Sequence, residues 1–184
     1  MSSLRLLDDT TIGTSVSKIR ISDVFSSDFD IYQITFDGTD TANDTDIDLM
    51  LVNANGSLVT STNYEYANLR LNSNSSFTEM EADGQSKWLD FMGKGGNDSG
   101  ESCQVVAYIF NPYRSDSYTY ALTQSSNGIV AISQFIKGIA ILKEQSTITG
   151  FEISINSGAT TGGSVRVYGL RSSSWVLLLF NQQL

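Results

Sequence analysis

An all-β fold is predicted for this chain of 184 residues: an antiparallel β-sandwich, jelly-roll-like, with long loops rich in Gly, Asn, Asp and Ser. Three observations predict it. Apolar and polar residues alternate with a period of two in segment after segment, which is the spacing of side chains along a strand. Asn, Asp and Gly punctuate those segments at short intervals, as turns require. No stretch carries the apolar stripe of a helix, and the single proline leaves long segments free to pair. About ten short strands at this spacing make a sandwich.

Residues 1–20 mix small polar residues with Leu4-Arg5-Leu6-Leu7 and Lys18-Ile19-Arg20-Ile21 and read as an arm. The sandwich domain is assigned to residues 21–171 and an apolar extension to 172–184. Phe29 to Phe36 is the first dense β segment. Asp46 to Val52 follows, with Ile47, Leu49 and Leu51 on one face. Asn55-Gly56 suits a type I′ turn, from which Ser57 to Thr60 returns as a hairpin strand. Tyr64 to Leu71 sets Tyr64 and Tyr66 on one face and Leu69 and Leu71 on the other. A short strand is expected at Lys87 to Met92, centred on Trp88 and Phe91. Gln104 to Phe110 is apolar on both faces, which predicts a central strand covered on two sides. Pro112 lies just beyond it, where a missing N–H does least harm. Ser117 to Leu122, Ile129 to Ile132 and Ile139 to Leu142 complete the middle of the chain, with a possible helical turn at Ser133 to Gly138.

The most informative segment is Thr147 to Arg171. Phe151, Ile153 and Ile155 alternate with Glu152, Ser154 and Asn156, and Val165 and Val167 alternate with Arg166 and Tyr168 beyond a Gly/Ser/Thr loop. The pattern predicts two half-buried antiparallel strands joined as a long hairpin. Its ending, G-S-V-R-V-Y-G-L-R, resembles the close of small β-sandwich virion proteins of tailed bacteriophages, and the Gly-rich loop before a strand ending in Asn111-Pro112 resembles them too. That resemblance implies capsid decoration (cement) or a tail or fibre component, a homotrimer, and contacts with major capsid or tail proteins. It also implies synthesis and assembly in the host cytoplasm and residence in the virion. The chain departs from the family by continuing past Tyr168-Gly169 into Trp175, Val176, Leu177, Leu178, Leu179 and Phe180. Six consecutive apolar residues need burial on both sides, so these six form the candidate interface.

Composition excludes much chemistry. The chain has no histidine, which removes the commonest general base near neutral pH, the commonest zinc ligand and any Ser-His-Asp or Cys-His mechanism. The one cysteine, Cys103, reads as a buried thiol, and no intrachain disulfide can form. A formal charge of −9 and a pI near 4.3 argue against nucleic acid and anionic lipid as partners. Residues 1–13 lack the basic start and apolar core of a secretory signal, and Trp175 to Phe180 is far too short to span a membrane.

Four further clusters carry polar or charged residues. Asp37, Asp40, Asn43, Asp44, Asp46 and Asp48 offer oxygens to calcium, yet their spacing is not that of an EF-hand and suits a solvated turn. Met92 to Ser102 is Gly-rich, but no Gly-Lys pair precedes Ser or Thr as a phosphate loop demands. Glu79, Glu81 and Asp83 are the carboxylates a glycoside hydrolase would draw on, without any visible cleft. Tyr113 to Tyr120, with Arg114 between the aromatics, suits a sugar or a protein partner. The expectation is a non-enzymatic virion structural protein, with no catalytic residue, metal ligand or cofactor assigned. The alternative is a glycan-binding adhesin module using the Asp37–Asp48 or Tyr113–Tyr120 segments.

Overall fold

The computed structural model describes residues 3–13, 15–41, 44–74, 77–98, 100–129 and 132–171. Among them there is no helix. Twelve strands form: β1 (Ser3–Thr11), β2 (Lys18–Ile21), β3 (Ile31–Thr41), β4 (Thr45–Asn53), β5 (Tyr64–Asn72) and β6 (Phe77–Gln85). The others are β7 (Lys94–Gly95), β8 (Ser102–Phe110), β9 (Thr119–Ile129), β10 (Ile132–Leu142), β11 (Ile148–Ile155) and β12 (Thr160–Arg171). All pair antiparallel, in an eight-stranded sheet of order β1-β12-β3-β8-β9-β10-β5-β6 and a four-stranded sheet of order β2-β11-β4-β7. The chain switches sheets at every step from β1 to β5 and later runs β8-β9-β10 as a meander, which makes a two-layer antiparallel β-sandwich.

The core lies between the sheets. From the large sheet come Tyr32, Ile34 and Phe36 of β3 with Val165 and Val167 of β12; the small sheet opposes them with Ile47, Leu49, Leu51, Phe151 and Ile153. Phe25 bridges the layers, its ring 4.6 Å from that of Tyr32 and 5.9 Å from that of Phe151. Period-two alternation thus does what it promised, turning one face of each sheet inward.

Several expected elements differ. β11 and β12 are not a hairpin: β11 pairs β2 and β4 in the small sheet, while β12 pairs β1 and β3 in the large one. The short 156–159 connection therefore crosses between layers. Nor is β11 half-buried. Every residue of it is buried, because Arg20 donates to Glu152 Oε2 through Nε and Nη2 at 2.9 and 2.7 Å and Lys18 closes over the same carboxylate. Asn55-Gly56 is no type I′ turn, which needs positive φ at both residues; only Gly56 has it, at 74°. Instead the Asn53 side chain accepts from the Asn55 and Ser57 amides at 3.0 and 3.1 Å, and residues 57–60 return with one bridge, Val52 to Leu58, in place of a strand.

Lys87 to Met92 is likewise a run of turns, carrying Trp88, Phe91 and Met92 into the core from a single bridge with Leu49. Ser133 to Gly138 is strand, part of a continuous β10 that also takes in Ile132 and Ile139–Leu142, while Ile129 closes β9, the strand that pairs with it. β8 is central, between β3 and β9, but only Cys103, Val105, Ala107 and Ile109 are buried; its other face is open. β6 was not legible as a strand. Within the stretch read as an arm, β1 pairs β12 and β2 pairs β11.

The pairing of β12 with β3 depends on Gly163, whose φ is 111° and whose added Cβ would sit 1.7 Å from the Asp37 carbonyl oxygen. Gly163→Ala is therefore expected to cost about 3 kcal/mol or more. Gly13→Ala, where a Cβ meets nothing within 4 Å, is expected to be near neutral. Urea titration of both variants checks the contrast; equal midpoints would contradict the close approach.

Candidate functional site

Antiparallel register aligns the outward residues of the large sheet into four rows. The first runs Leu4, Leu170, Ile31, Phe110, Tyr120, Ile141 across β1, β12, β3, β8, β9 and β10. The second runs Leu6, Tyr168, Gln33, Tyr108, Leu122, Ile139 and reaches Ala67 of β5. Over these residues both rows are apolar or aromatic apart from Gln33, and each then meets a carboxylate, Glu65 of β5 in the first and Glu81 of β6 in the second. The third is mixed, with Arg166, Gln124 and Lys137 among Val106 and Leu69, and the fourth ends in Phe135, Leu71 and Phe77.

Ile139 is 59 % exposed, Leu122 43 % and Phe77 72 %. Seven strands about 4.8 Å apart and two rows about 6.8 Å apart give the apolar stripe a footprint on the order of 450 Å². The four rows together cover on the order of 900 Å². Monomeric soluble proteins rarely leave a contiguous apolar patch of more than a few hundred Å² exposed. Two grooves corrugate this face. One of about 800 Å³ lies between Ala67, Phe110, Tyr120, Leu122 and Ile139, and Glu65, Glu81 and Asp83 also line it. The other, of about 700 Å³, holds Phe135, Leu71 and Val106 beside Lys137 and Arg166.

The acidic run divides between the layers instead of converging. Asp37 lies on the outer face of β3 and accepts from Gln104 Nε2 at 2.7 Å. Asp48 is fully buried on β4, where Oδ2 meets Lys87 Nζ at 2.6 Å and Oδ1 accepts the Asp90 amide at 2.9 Å. Asp46 pairs with Lys94, and Arg70 Nη2 reaches Asp90 Oδ2 at 2.5 Å. The Asp46 and Asp90 carboxyls also act on each other. Burial, with Asp46 beside it, pushes the Asp90 carboxyl up to about 7. For Asp46 burial acts upward as well, but the neighbouring Asp90 and Lys94 outweigh it and hold that carboxyl below the ordinary range. Three carboxylates facing two lysines and an arginine form a charge-balanced brace for the turns that carry Trp88 and Phe91. Among the described residues, no group of three or more acidic or thiol side chains is placed to hold a metal ion.

The remaining clusters sit as follows. Glu79, Glu81 and Asp83 lie along the edge strand β6, where Glu79 and Glu81 are exposed opposite Leu69 and Ala67, and Glu81 and Asp83 line the groove of about 800 Å³ together with Glu65 of β5. Lys94 of the Gly-rich segment is committed to Asp46, and Gly95 pairs with Thr45. Cys103 is buried and donates to the Met92 carbonyl at 3.2 Å, and burial pushes its thiol well up. Tyr113, Tyr118 and Tyr120 are exposed at one end of the sheet, with Arg114 held to Asp116 at 3.1 Å. Trp175, Val176, Leu177, Leu178, Leu179 and Phe180 lie outside the described residues. The open face was missed because alternation tells which residues share a face and not which face is turned inward. A signal was present in β9 and β10, where the small residues Ala121, Thr123, Ser125, Gly138 and Ala140 alternate with large ones.

No protein-family model matches the chain, and no curated protein matches it. Among solved structures, a fructofuranosidase from Schwanniomyces occidentalis complexed with fructosylnystose aligns with 92 % of this chain at 9 % identity and a TM-score of 0.18. The chain spans about a third (34 %) of that protein's length, and a likeness at this level carries no argument about fold or activity.

Proposed function

We propose that this protein is a non-enzymatic structural subunit of tailed-phage virions, a capsid-decoration or tail or fibre component, that self-assembles through the outer face of its eight-stranded sheet. The carrying observation is the apolar stripe of Leu4, Leu170, Phe110, Tyr120, Leu122 and Ile139 on a face that a two-layer sandwich ordinarily gives to water. A standard protein interface takes about 800 Å² from each partner, which the four rows supply. The absence of histidine and the ion-paired state of Asp46, Asp48 and Asp90 fit a role of packing and tiling. The phage assignment rests on the resemblance of the β12 ending and the Asn111-Pro112 strand end.

Light scattering is expected to give a small multiple of the subunit mass, three by analogy with the family. The double variant Leu122→Lys, Ile139→Lys should dissociate it without unfolding, because both side chains point away from the core. A monomeric full-length protein would overturn the reading, and so would absence from a mass-spectrometric inventory of virions. A second reading, a glycan-binding adhesin module, is favoured by the exposed trio Tyr113, Tyr118 and Tyr120. A glycan-array signal lost in Tyr118→Ala would select it.

A further inference from the structure

We infer that the occupant of the apolar stripe is the segment 175–180 of a second copy of this chain, passed from one subunit to the next. The inference rests on the self-assembly reading above and names its contact. β12 runs from the fourth row toward the first, and Leu170, its penultimate residue, belongs to the first apolar row. The chain thus leaves the described fold at the rim of the stripe, three strand spacings or about 14 Å from Tyr120.

Chemistry matches at both ends of the contact. Trp175, Val176, Leu177, Leu178, Leu179 and Phe180 are six consecutive apolar residues, and Phe110, Tyr120, Leu122 and Ile139 give the groove a largely apolar lining beside Glu65, Glu81 and Asp83. No like charge on the segment opposes Glu81 and Asp83. Consecutive residues of an extended chain point to opposite sides, so a subunit's own face would cover only half of this segment. Seated between two copies, it is covered on both sides. A tail-to-face contact is heterologous, and a heterologous contact closes into a ring when its rotation allows, a trimer included.

Cross-linking of full-length chains tests the inference. Copies carrying Ile139→Cys are mixed with copies carrying Leu178→Cys and oxidised mildly; the native thiol at Cys103 is buried and does not compete. A disulfide joining the two kinds of copy is expected, at least about tenfold above that formed between Leu178→Cys and a control Ser22→Cys beyond β2. Cross-linking no better than the control overturns the inference, as does a double-cysteine chain that closes only on itself at every concentration. The second arm uses the chain ending at Arg171, expected to keep its far-ultraviolet spectrum, to become monomeric, and to bind a synthetic 172–184 peptide at least about tenfold more tightly than its Leu122→Lys, Ile139→Lys form does. If that shortened chain stays oligomeric while the two lysines dissociate it, the tail assignment fails and self-assembly through the face stands. If the full-length protein is itself monomeric, both fail.

Discussion

Trp88→Ala is expected to destabilise the fold by about 3–5 kcal/mol, a large part of the 5–15 kcal/mol that holds a typical domain together. Trp88 is fully buried although it sits in a run of turns. Its ring meets Tyr64 edge-on at 5.5 Å and Phe91 at 5.2 Å. Its Nε1–H donates to the Ile141 carbonyl at 3.1 Å, and its backbone exchanges hydrogen bonds of 3.0 and 3.1 Å with Leu49. One residue therefore ties β10 of the large sheet to β4 of the small one. Truncation would empty the space between the layers, leave the Ile141 carbonyl without that donor and remove two ring contacts. Tyr64 has its own anchors, donating to the Val59 carbonyl and accepting the Leu51 amide at 3.0 Å each, so it is not free to move into the gap. The urea midpoint should drop with little change in slope. Trp88→Phe, which keeps most of the volume, should lose about half as much, and exposed Phe77→Ala less than about 0.5 kcal/mol. A loss under about 1 kcal/mol for Trp88→Ala would contradict its place between the sheets.

What could be read from sequence follows from what a two-residue period encodes. Ile47, Leu49 and Leu51 share a face in any strand, and they point into the core as expected. The period does not encode which sheet a strand joins. β11 and β12 each satisfy the pattern of a hairpin arm, yet the four intervening residues carry the chain from one layer to the other. Tertiary pairing settles that, and nothing local does. Nor does alternation distinguish a core face from an interface. In β9 and β10 the inward positions Ala121, Thr123 and Ala140 are small, and the larger residues Tyr120, Leu122 and Ile139 face out. Hydrophobicity alone does not tell those large side chains from core. In β8 the same ambiguity made a one-sided strand look covered on both faces. β6 escaped notice because its Glu79, Glu81 and Asp83 are those of a protected edge, where charge discourages further pairing and conceals the strand pattern. The ionic brace was hidden for another reason: Arg70, Lys87, Asp90 and Lys94 are far in sequence from Asp46 and Asp48, and only the fold brings them together.

That brace predicts an unusual pH profile. The Asp90 carboxyl is pushed up to about 7 by burial and by the neighbouring Asp46 carboxyl, while an aspartate in the unfolded chain titrates near its ordinary value of 3.8. Between those two values the folded state binds the proton that the unfolded state has released. Stability therefore falls as pH rises from about 4 to about 7, by at most about 1.4 kcal/mol per pH unit for one proton. Asp46 is shifted the other way, so its contribution is present above the unfolded value and is lost only as pH falls below about 4. The window between 4 and 7 belongs to Asp90, with the pair titrating as one unit. Asp90→Asn isolates the effect. Asparagine tolerates the left-handed backbone at this position, where φ is 53°, and its side-chain oxygen still faces Arg70. Urea midpoints measured from pH 4.5 to 7.5 should decline for the wild-type chain and flatten for Asp90→Asn. A wild-type midpoint that rises over this range would reverse the sign, and a variant that keeps the full slope would move the titrating group elsewhere. The decline would also mean that the turns carrying Trp88 and Phe91 are held most firmly when the Asp46–Asp90 pair keeps its proton, because release leaves two buried charges side by side against Arg70 and Lys94.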